Sequence, residues 1–211
     1  LDKIFRRVQY FKVQFSPKKT MFCRTELTYL GYVIVPGTGI KANPKKVESI
    51  SKIPIPTNKK TLVTFLQSIG FYRNLIPLYN RIIAPLNQLK NAARWPKGGM
   101  TDKQKECFVQ IKECLMKEPV IALPDFTPDK NKFYVYTDAS KDGLGATLLQ
   151  KGVDGFLHPI AYASRMTEIT EKNRYSQYQL EMAAVIWGVG VFKPYLRHKT
   201  IPFVLKTDCQ S

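Results

Sequence analysis

The hydrophobic period of this chain changes near Pro119, and that change restricts its fold more than any other feature. Before it, apolar residues recur at helical spacing, most clearly in the stripe Leu62, Phe65, Leu66, Ile69 and Tyr72. After it, short runs of strand formers take over. Phe133 to Thr137 reads as a strand ending at Asp138, Leu144 to Leu149 as a second, and residues 157–163 as a third. Tyr175 to Tyr195 reads as a helix with a core stripe of Leu180, Ala184, Trp187 and Val191, and Pro202 to Thr207 is a fourth strand ending at Asp208. Helices first and a strand-rich unit second predict an α+β chain with a boundary between Pro119 and Asn131.

The segment before the helices is itself mixed. Leu1, Ile4, Phe5 and Val8 have helical spacing, and Val13 and Phe15 then alternate with polar residues as a strand would. Leu27 to Val35 is a run of strand formers closed by Pro36-Gly37-Thr38-Gly39, which predicts a hairpin returning at Ile40. Asn43-Pro44 is a cap residue followed by a first-turn proline, so a helix starts there and stops at Ile53-Pro54. Arg73-Asn74 mark the wet edge of the next helix, a third covers Leu75 to Lys90 with breaks or starts at Pro77 and Pro85, and Thr101 with Gln104 forms a capping box for a fourth.

Charge gives the first functional indication. The chain carries 33 Lys and Arg against 16 Asp and Glu, a net +17, and a field of that sign concentrates polyanions. Residues 1–60 hold 13 basic and 3 acidic side chains, whereas residues 131–211 hold 10 and 7, so the excess sits on the N-terminal part. Nucleic acid is the favoured partner, although charge alone leaves membrane lipid open. The four cysteines, Cys23, Cys107, Cys114 and Cys209, have neither C-x-x-C nor disulfide-framework spacing, which predicts a reduced, intracellular protein without a zinc site. The longest apolar stretch, Met182 to Phe192, is too short for a bilayer, and no membrane association is expected. Because the chain opens without Met inside a helical pattern, it reads as a fragment of something longer.

Three acids then attract attention. Asp138 and Asp208 stand at predicted strand ends, and Glu181 interrupts an apolar helix between Leu180 and Met182. Each has a plain explanation, as a turn former or a solvent-facing helix residue. Together, the order strand, strand, strand, helix, strand brings the strand ends side by side with the helix across them. Converged carboxylates repel, and hard divalent cations relieve the repulsion. Two such ions about 3.5–4 Å apart activate a water and stabilise the leaving oxygen of a phosphodiester.

At this point the strings resemble the Pol polyproteins of gypsy-type LTR retrotransposons. They are Leu30-Gly31-Tyr32 with Gly39-Ile40; Pro56-Thr57, Phe65-Leu66 and Phe71-Tyr72-Arg73-Asn74-Leu75-Ile76-Pro77; Ala84-Pro85-Leu86; Leu123-Pro124-Asp125-Phe126; Thr137-Asp138-Ala139-Ser140 with Gly143 and Gly145-Ala146; Ile160 to Arg165; Tyr175-Ser176 through Glu181; and Thr207-Asp208. They run in family order over nearly the whole chain. The resemblance implies that residues 1–42 are the C-terminal end of a reverse transcriptase palm, 43–118 a thumb with linker helices, and 119–211 a truncated ribonuclease H domain with an incomplete mixed α/β sheet. It implies that the Tyr29 to Ile40 hairpin is a primer grip, so that Tyr29, Leu30, Gly31, Tyr32, Arg73 and Asn74 meet nucleic acid. Asp138, Glu181 and Asp208 match the family's first three catalytic, metal-binding carboxylates, with two Mg2+ ions, or Mn2+, as cofactor.

Departures from the family pattern are few. The polymerase Tyr-x-Asp-Asp string is absent and belongs upstream of Leu1, so this stretch alone lacks the polymerase site and is expected to be inactive. The fifth strand, later helices and fourth acidic ligand of the nuclease are not present either. Gln179 stands where many relatives carry Glu, Cys209 replaces a common His, and the stretch from Ser164 to Tyr175 is a residue longer than usual. His158 and His198 match no catalytic position and are expected at the surface.

The implied function is that of a reverse transcriptase and ribonuclease H fragment that binds template–primer duplex and hydrolyses the RNA strand of RNA–DNA hybrids. Its implied partners, besides the nucleic acid, are the rest of the Pol polyprotein and a second copy in a dimer. The implied location is the cytoplasm, a virus-like particle, or the nucleus. The competing reading is a domesticated element kept as a nucleic-acid-binding or protein-interaction scaffold without catalysis. A cellular ribonuclease H unrelated to transposition leaves the thumb-like and primer-grip-like strings without a role.

Overall fold

The structure, a computed structural model, describes residues 1–18, 20–117, 120–127, 132–197 and 202–207. It is a mixed α/β chain with two four-stranded sheets. Helix α1, Asp2–Tyr10, buries none of its residues. The strand expected at Val13 to Phe15 does not form: both residues are exposed, and a strand without a partner leaves its ladder groups unpaired.

Leu27 to Val35 is not one strand. β1, Leu27–Tyr29, turns back into β2, Tyr32–Val35, through Leu30 and Gly31, both at positive φ (46° and 81°). That is the backbone of a two-residue hairpin, in which the second position favours Gly and the first tolerates Leu only under strain. Two groups hold the turn from outside, since the Tyr72 hydroxyl (2.9 Å) and the Asn43 amide (3.2 Å) both donate to the Gly31 carbonyl oxygen. β2 then pairs with β3, Gly39–Ala42, across the expected Pro36 to Gly39 turn. β4, Val120–Ile121, which the sequence did not suggest, completes the antiparallel order β1-β2-β3-β4.

The helices form where caps and stripes predict. Asn43 accepts the Lys45 amide and Pro44 opens α2, Pro44–Ser51. Asn58 caps α3, Lys59–Gly70, whose Leu62, Phe65, Leu66 and Ile69 are buried at i, i+3, i+4 and i+7. A short 3-10 turn, Arg73–Leu75, leads to α4, Tyr79–Asn91, which runs through Pro85 where a break was expected. Burial of Ile83, Ala84, Leu86 and Leu89 on both flanks keeps it continuous, each of the Ile and Leu side chains contributing about 1.5–3 kcal/mol. Phe65 meets Phe108 of α5, Asp102–Met116, with ring centroids 4.4 Å apart. Cys107 and Cys114 pack at the edge of this core, and burial pushes the Cys107 thiol up. Thr101 and Gln104 close both halves of the α5 capping box. Thr101→Ala is expected to cost about 1 kcal/mol, read as a thermal midpoint lower by about 2–4 °C.

The second sheet comprises β5, Phe133–Ser140, β6, Gly143–Lys151, β7, Leu157–Met166, and β8, Val204–Thr207, in the order β7-β6-β5-β8. β7-β6-β5 is antiparallel and β8 is parallel to β5. Between β7 and β8 lie α6, Ile169–Arg174, and the 20-residue α7, Gln177–Leu196, so the single helix expected from Tyr175 is preceded by a separate turn. The α7 stripe is Leu180, Glu181, Ala184, Gly188 and Phe192, and the expected Val191 is 41% exposed. Gly188 is what admits the helix so close, because a Cβ there would lie 2.9 Å from the Ala146 Cβ and 3.1 Å from the Thr137 Cγ2. Among the described residues no helix is long and apolar enough to cross a membrane.

Candidate active site

β5 does not end at Asp138 but runs two residues further, with Asp138 directly opposite Gly145 of β6. Asp138 is therefore a strand residue and not a turn former. Phe133, Val135 and Ala139 pack in the clusters that include α7, and successive side chains alternate across a sheet. Asp138 consequently faces away from α7, towards α4. There its Oδ2 accepts from the Arg81 guanidinium at 3.1 Å, with the two side chains 39% and 54% exposed.

Glu181 lies on α7 and is buried at 6% exposure. Gln177, one turn earlier, donates from one Nε2 both to Glu181 Oε1 (2.8 Å) and to the carbonyl oxygen of Ala139 (3.0 Å). One amide group thus ties Glu181 to the residue after Asp138. The two carboxylates meet the same end of β5 from opposite faces of the sheet. Asp208, the third expected ligand, lies outside the described residues, as do Cys209 and His198; Thr207, just before it, pairs with Thr137. Among the described residues no three His, Cys, Asp or Glu side chains group closely enough to hold a metal. The donors that are described, Asp138 and Glu181, are hard carboxylate oxygens, the type that divalent cations such as Mg2+ take, and Asp138 has the Arg81 guanidinium against one of its oxygens.

Neighbouring polar groups stiffen this end of the sheet. Glu171 of α6 takes both Arg165 nitrogens (2.6 and 2.7 Å) and the Glu168 amide (2.8 Å), and the Arg165 guanidinium also lies 5.7 Å from the Trp187 ring centroid. The hydrogen bonds from Arg165 hold the Glu171 carboxyl below the usual carboxylate range. Lys172 does the same for Asp142 at 2.7 Å. The Gln179 side chain accepts the Ser176 amide (2.8 Å) in the α7 capping box, a task that leaves it facing the helix end. His158 is surface-lying, its Nε2 2.8 Å from Asp154 Oδ2.

The residues expected at nucleic acid divide into two sets. Tyr29 and Leu30 are exposed at the β1–β2 tip (58% and 70%), and Arg73 and Asn74 are exposed on the 3-10 turn. Tyr32 is instead tied down, its ring stacked on Phe71 at 5.1 Å and its hydroxyl donating to the Phe71 carbonyl oxygen at 2.8 Å. These contacts, with the Tyr72 hydroxyl on the Gly31 carbonyl oxygen, set hairpin and turn side by side, and desolvation raises the Tyr32 pKa while nearby Arg73 opposes the rise. Sequence reasoning missed Arg81, Gln177 and the Arg165–Glu171 pair. Gln177 had a signal, being four residues before Glu181 on one helix face. Arg81 had none, since 57 residues separate it from Asp138.

A mixed sheet of three antiparallel strands and one parallel strand, crossed by a helix and carrying acids at one end, defines a ribonuclease H-like fold. Residues 100–205 match the family described as RNase H-like domain found in reverse transcriptase, and the chain belongs to that family. It is 34% identical over 215 residues to the retrovirus-related Pol polyprotein from transposon 297 of Drosophila melanogaster, covering 100% of this chain and 19% of that protein. It is 35% identical to the Pol polyprotein from transposon opus of the same organism, covering 92% and 20%. The chain therefore spans about a fifth of the length of these relatives. The foamy viral protease-reverse transcriptase, solved in complex with RNA/DNA hybrid, superposes with a TM-score of 0.74 at 24% identity over 99% of this chain and 28% of that one, a likeness of fold.

Proposed function

We propose that this chain is the part of a retrotransposon Pol polyprotein that holds an RNA–DNA hybrid and hydrolyses its RNA strand. The observation that supports the reading is the Gln177 bridge, which ties buried Glu181 to the carbonyl oxygen of Ala139, the residue after Asp138 on β5. Asp138, Glu181 and Asp208 would hold Mg2+ or Mn2+, which supplies an activated water and stabilisation of the leaving oxygen. The protein's own share is positional. Gln177 fixes the orientation of the Glu181 carboxylate, while α7 packed on Leu144 and Ala139 holds that carboxylate at its depth. Tyr29, Leu30, Arg73 and Asn74, exposed on the hairpin tip and the adjoining turn, would lie along the duplex, with Gly31 and Tyr32 shaping the tip from within. The basic excess of residues 1–60 supports backbone contact, which neutralises phosphates without reading bases.

The reading is tested by binding and cleavage of one labelled hybrid duplex. Binding should weaken steeply as salt rises, by about 10³-fold or more between 50 and 200 mM if six or more phosphates are contacted. An affinity indifferent to salt over that range would sink the proposed interface. Metal-dependent release of RNA fragments by the polyprotein-length enzyme tests the chemistry.

A further inference from the structure

We infer that the pocket between α2 and α3, beneath the β1–β2 tip, holds one unpaired nucleotide of a bound nucleic acid, its base against Phe71 and its phosphate against Lys46. This rests on the reading of the hairpin tip as a nucleic-acid contact and adds a single-stranded element to it. The pocket measures about 790 Å3 and lies among Leu30 and Gly31 of the tip, Lys46 and Ile50 of α2, Ile53 just beyond it, and Phe71 directly after α3. That size falls within the range of small-ligand sites, which are mostly apolar with a few polar groups that fix orientation.

Phe71 supplies the platform. Its ring is stacked on Tyr32, with 5.1 Å between centroids and 28° between planes, and meets Tyr72 edge-on at 5.0 Å. Gly31 closes on the ring, where a Cβ would lie only 2.9 Å from the Phe71 Cε1. The ring is therefore fixed before any ligand arrives, yet Phe71 remains 50% exposed. A rigid aromatic left half in water is a surface on which any base can stack, whatever the sequence. Lys46 supplies the charge. Among the described residues its ammonium has no carboxylate partner, whereas Lys52 at the end of the same helix is paired with Glu48 at 2.6 Å. Ser49 and Ser68 in the lining donate to the Lys45 and Thr64 carbonyl oxygens (2.8 and 2.9 Å), which leaves their own oxygens as acceptors for the amino group of a base. A purely apolar ligand would leave Lys46 unused, and a base already paired within a duplex has no free face to offer Phe71.

The test compares three RNA–DNA hybrids binding to the 211-residue chain: one fully paired, one with a single unpaired deoxyadenosine at the DNA 3′ end, and one with an abasic nucleotide in its place. The unpaired deoxyadenosine should tighten binding about fivefold or more, and the abasic nucleotide, which keeps sugar and phosphate, by less. Phe71→Leu keeps apolar bulk without the ring, and Ser49→Leu fills the pocket from an exposed helix position. Each should remove most of the gain, with melting and affinity for the paired hybrid little changed. If the paired hybrid binds and the unpaired deoxyadenosine adds nothing, or if both variants keep the full gain, the pocket is wrong and the duplex reading stands. An equal gain from the abasic nucleotide overturns the stacking and the inference with it. A gain present in this chain and absent from the polyprotein-length enzyme would mean that the polyprotein itself fills the pocket, which also overturns it. If none of the three hybrids binds, the reading of the tip fails and the pocket with it.

Discussion

Asp138→Asn is expected to lower metal-dependent cleavage of the RNA strand by at least about a hundredfold, with hybrid binding changed little. The substitution keeps shape and removes one negative charge, so it separates ligand chemistry from packing. Loss of a supporting residue around a metal already costs about 10–100-fold, and a direct ligand should cost no less. Folding should survive, because the side chain is partly exposed and its ion pair with Arg81 is of the kind that adds little stability. The measurement is single-turnover cleavage of a hybrid by the polyprotein-length enzyme, with melting of both proteins as the control. Undiminished cleavage in a folded variant would remove Asp138 from the site.

Glu171→Ala should destabilise the chain by about 3 kcal/mol, the cost of leaving a poorly exposed Arg165 guanidinium without its carboxylate. For a chain of this size that corresponds to a midpoint lower by about 6–12 °C. The effect exceeds that of an ordinary surface pair because the side chains are only 27% and 11% exposed and the contact is bidentate. The same carboxylate also accepts the Glu168 amide, so the first turn of α6 should loosen with it. The pH dependence has a definite sign. The folded-state pKa of Glu171 lies below its unfolded value, so its contribution is complete above the unfolded pKa, near about 4.3. It is lost as pH falls through the folded pKa. Stability measured by denaturant between pH 6 and pH 2 should fall less steeply in Glu171→Gln than in the unaltered chain. Parallel acid profiles would show that the pair does not carry this limb.

Much of the fold was legible because local physics and tertiary packing agree. The Thr101 capping box, the Asn43-Pro44 start and the α3 stripe are signals within one helical turn, and each appears in the structure. The Leu27 to Val35 run misled for the converse reason. Leu30 lies inside a run of strand formers, yet it turns, and Tyr72 and Asn43, both outside that run, hold the Gly31 carbonyl. Val191 failed similarly: an i, i+4, i+7 extrapolation chose it for the core, whereas close approach at Gly188 selects Phe192.

The candidate site divides along the same line. Its residue types were readable without coordinates, since an acid in an apolar helix and acids near strand termini stand out against their neighbours. Sequence alone also determined the basic N-terminal excess and the change of period, which are sums and spacings along one chain. Only the tertiary structure decided what each carboxylate touches. That Arg81 meets Asp138, that Leu78 rests on Gly145, and that Gln177 links Glu181 to β5 depend on how helices dock on a sheet. Such docking is set by packing between segments tens of residues apart, and no local pattern records it.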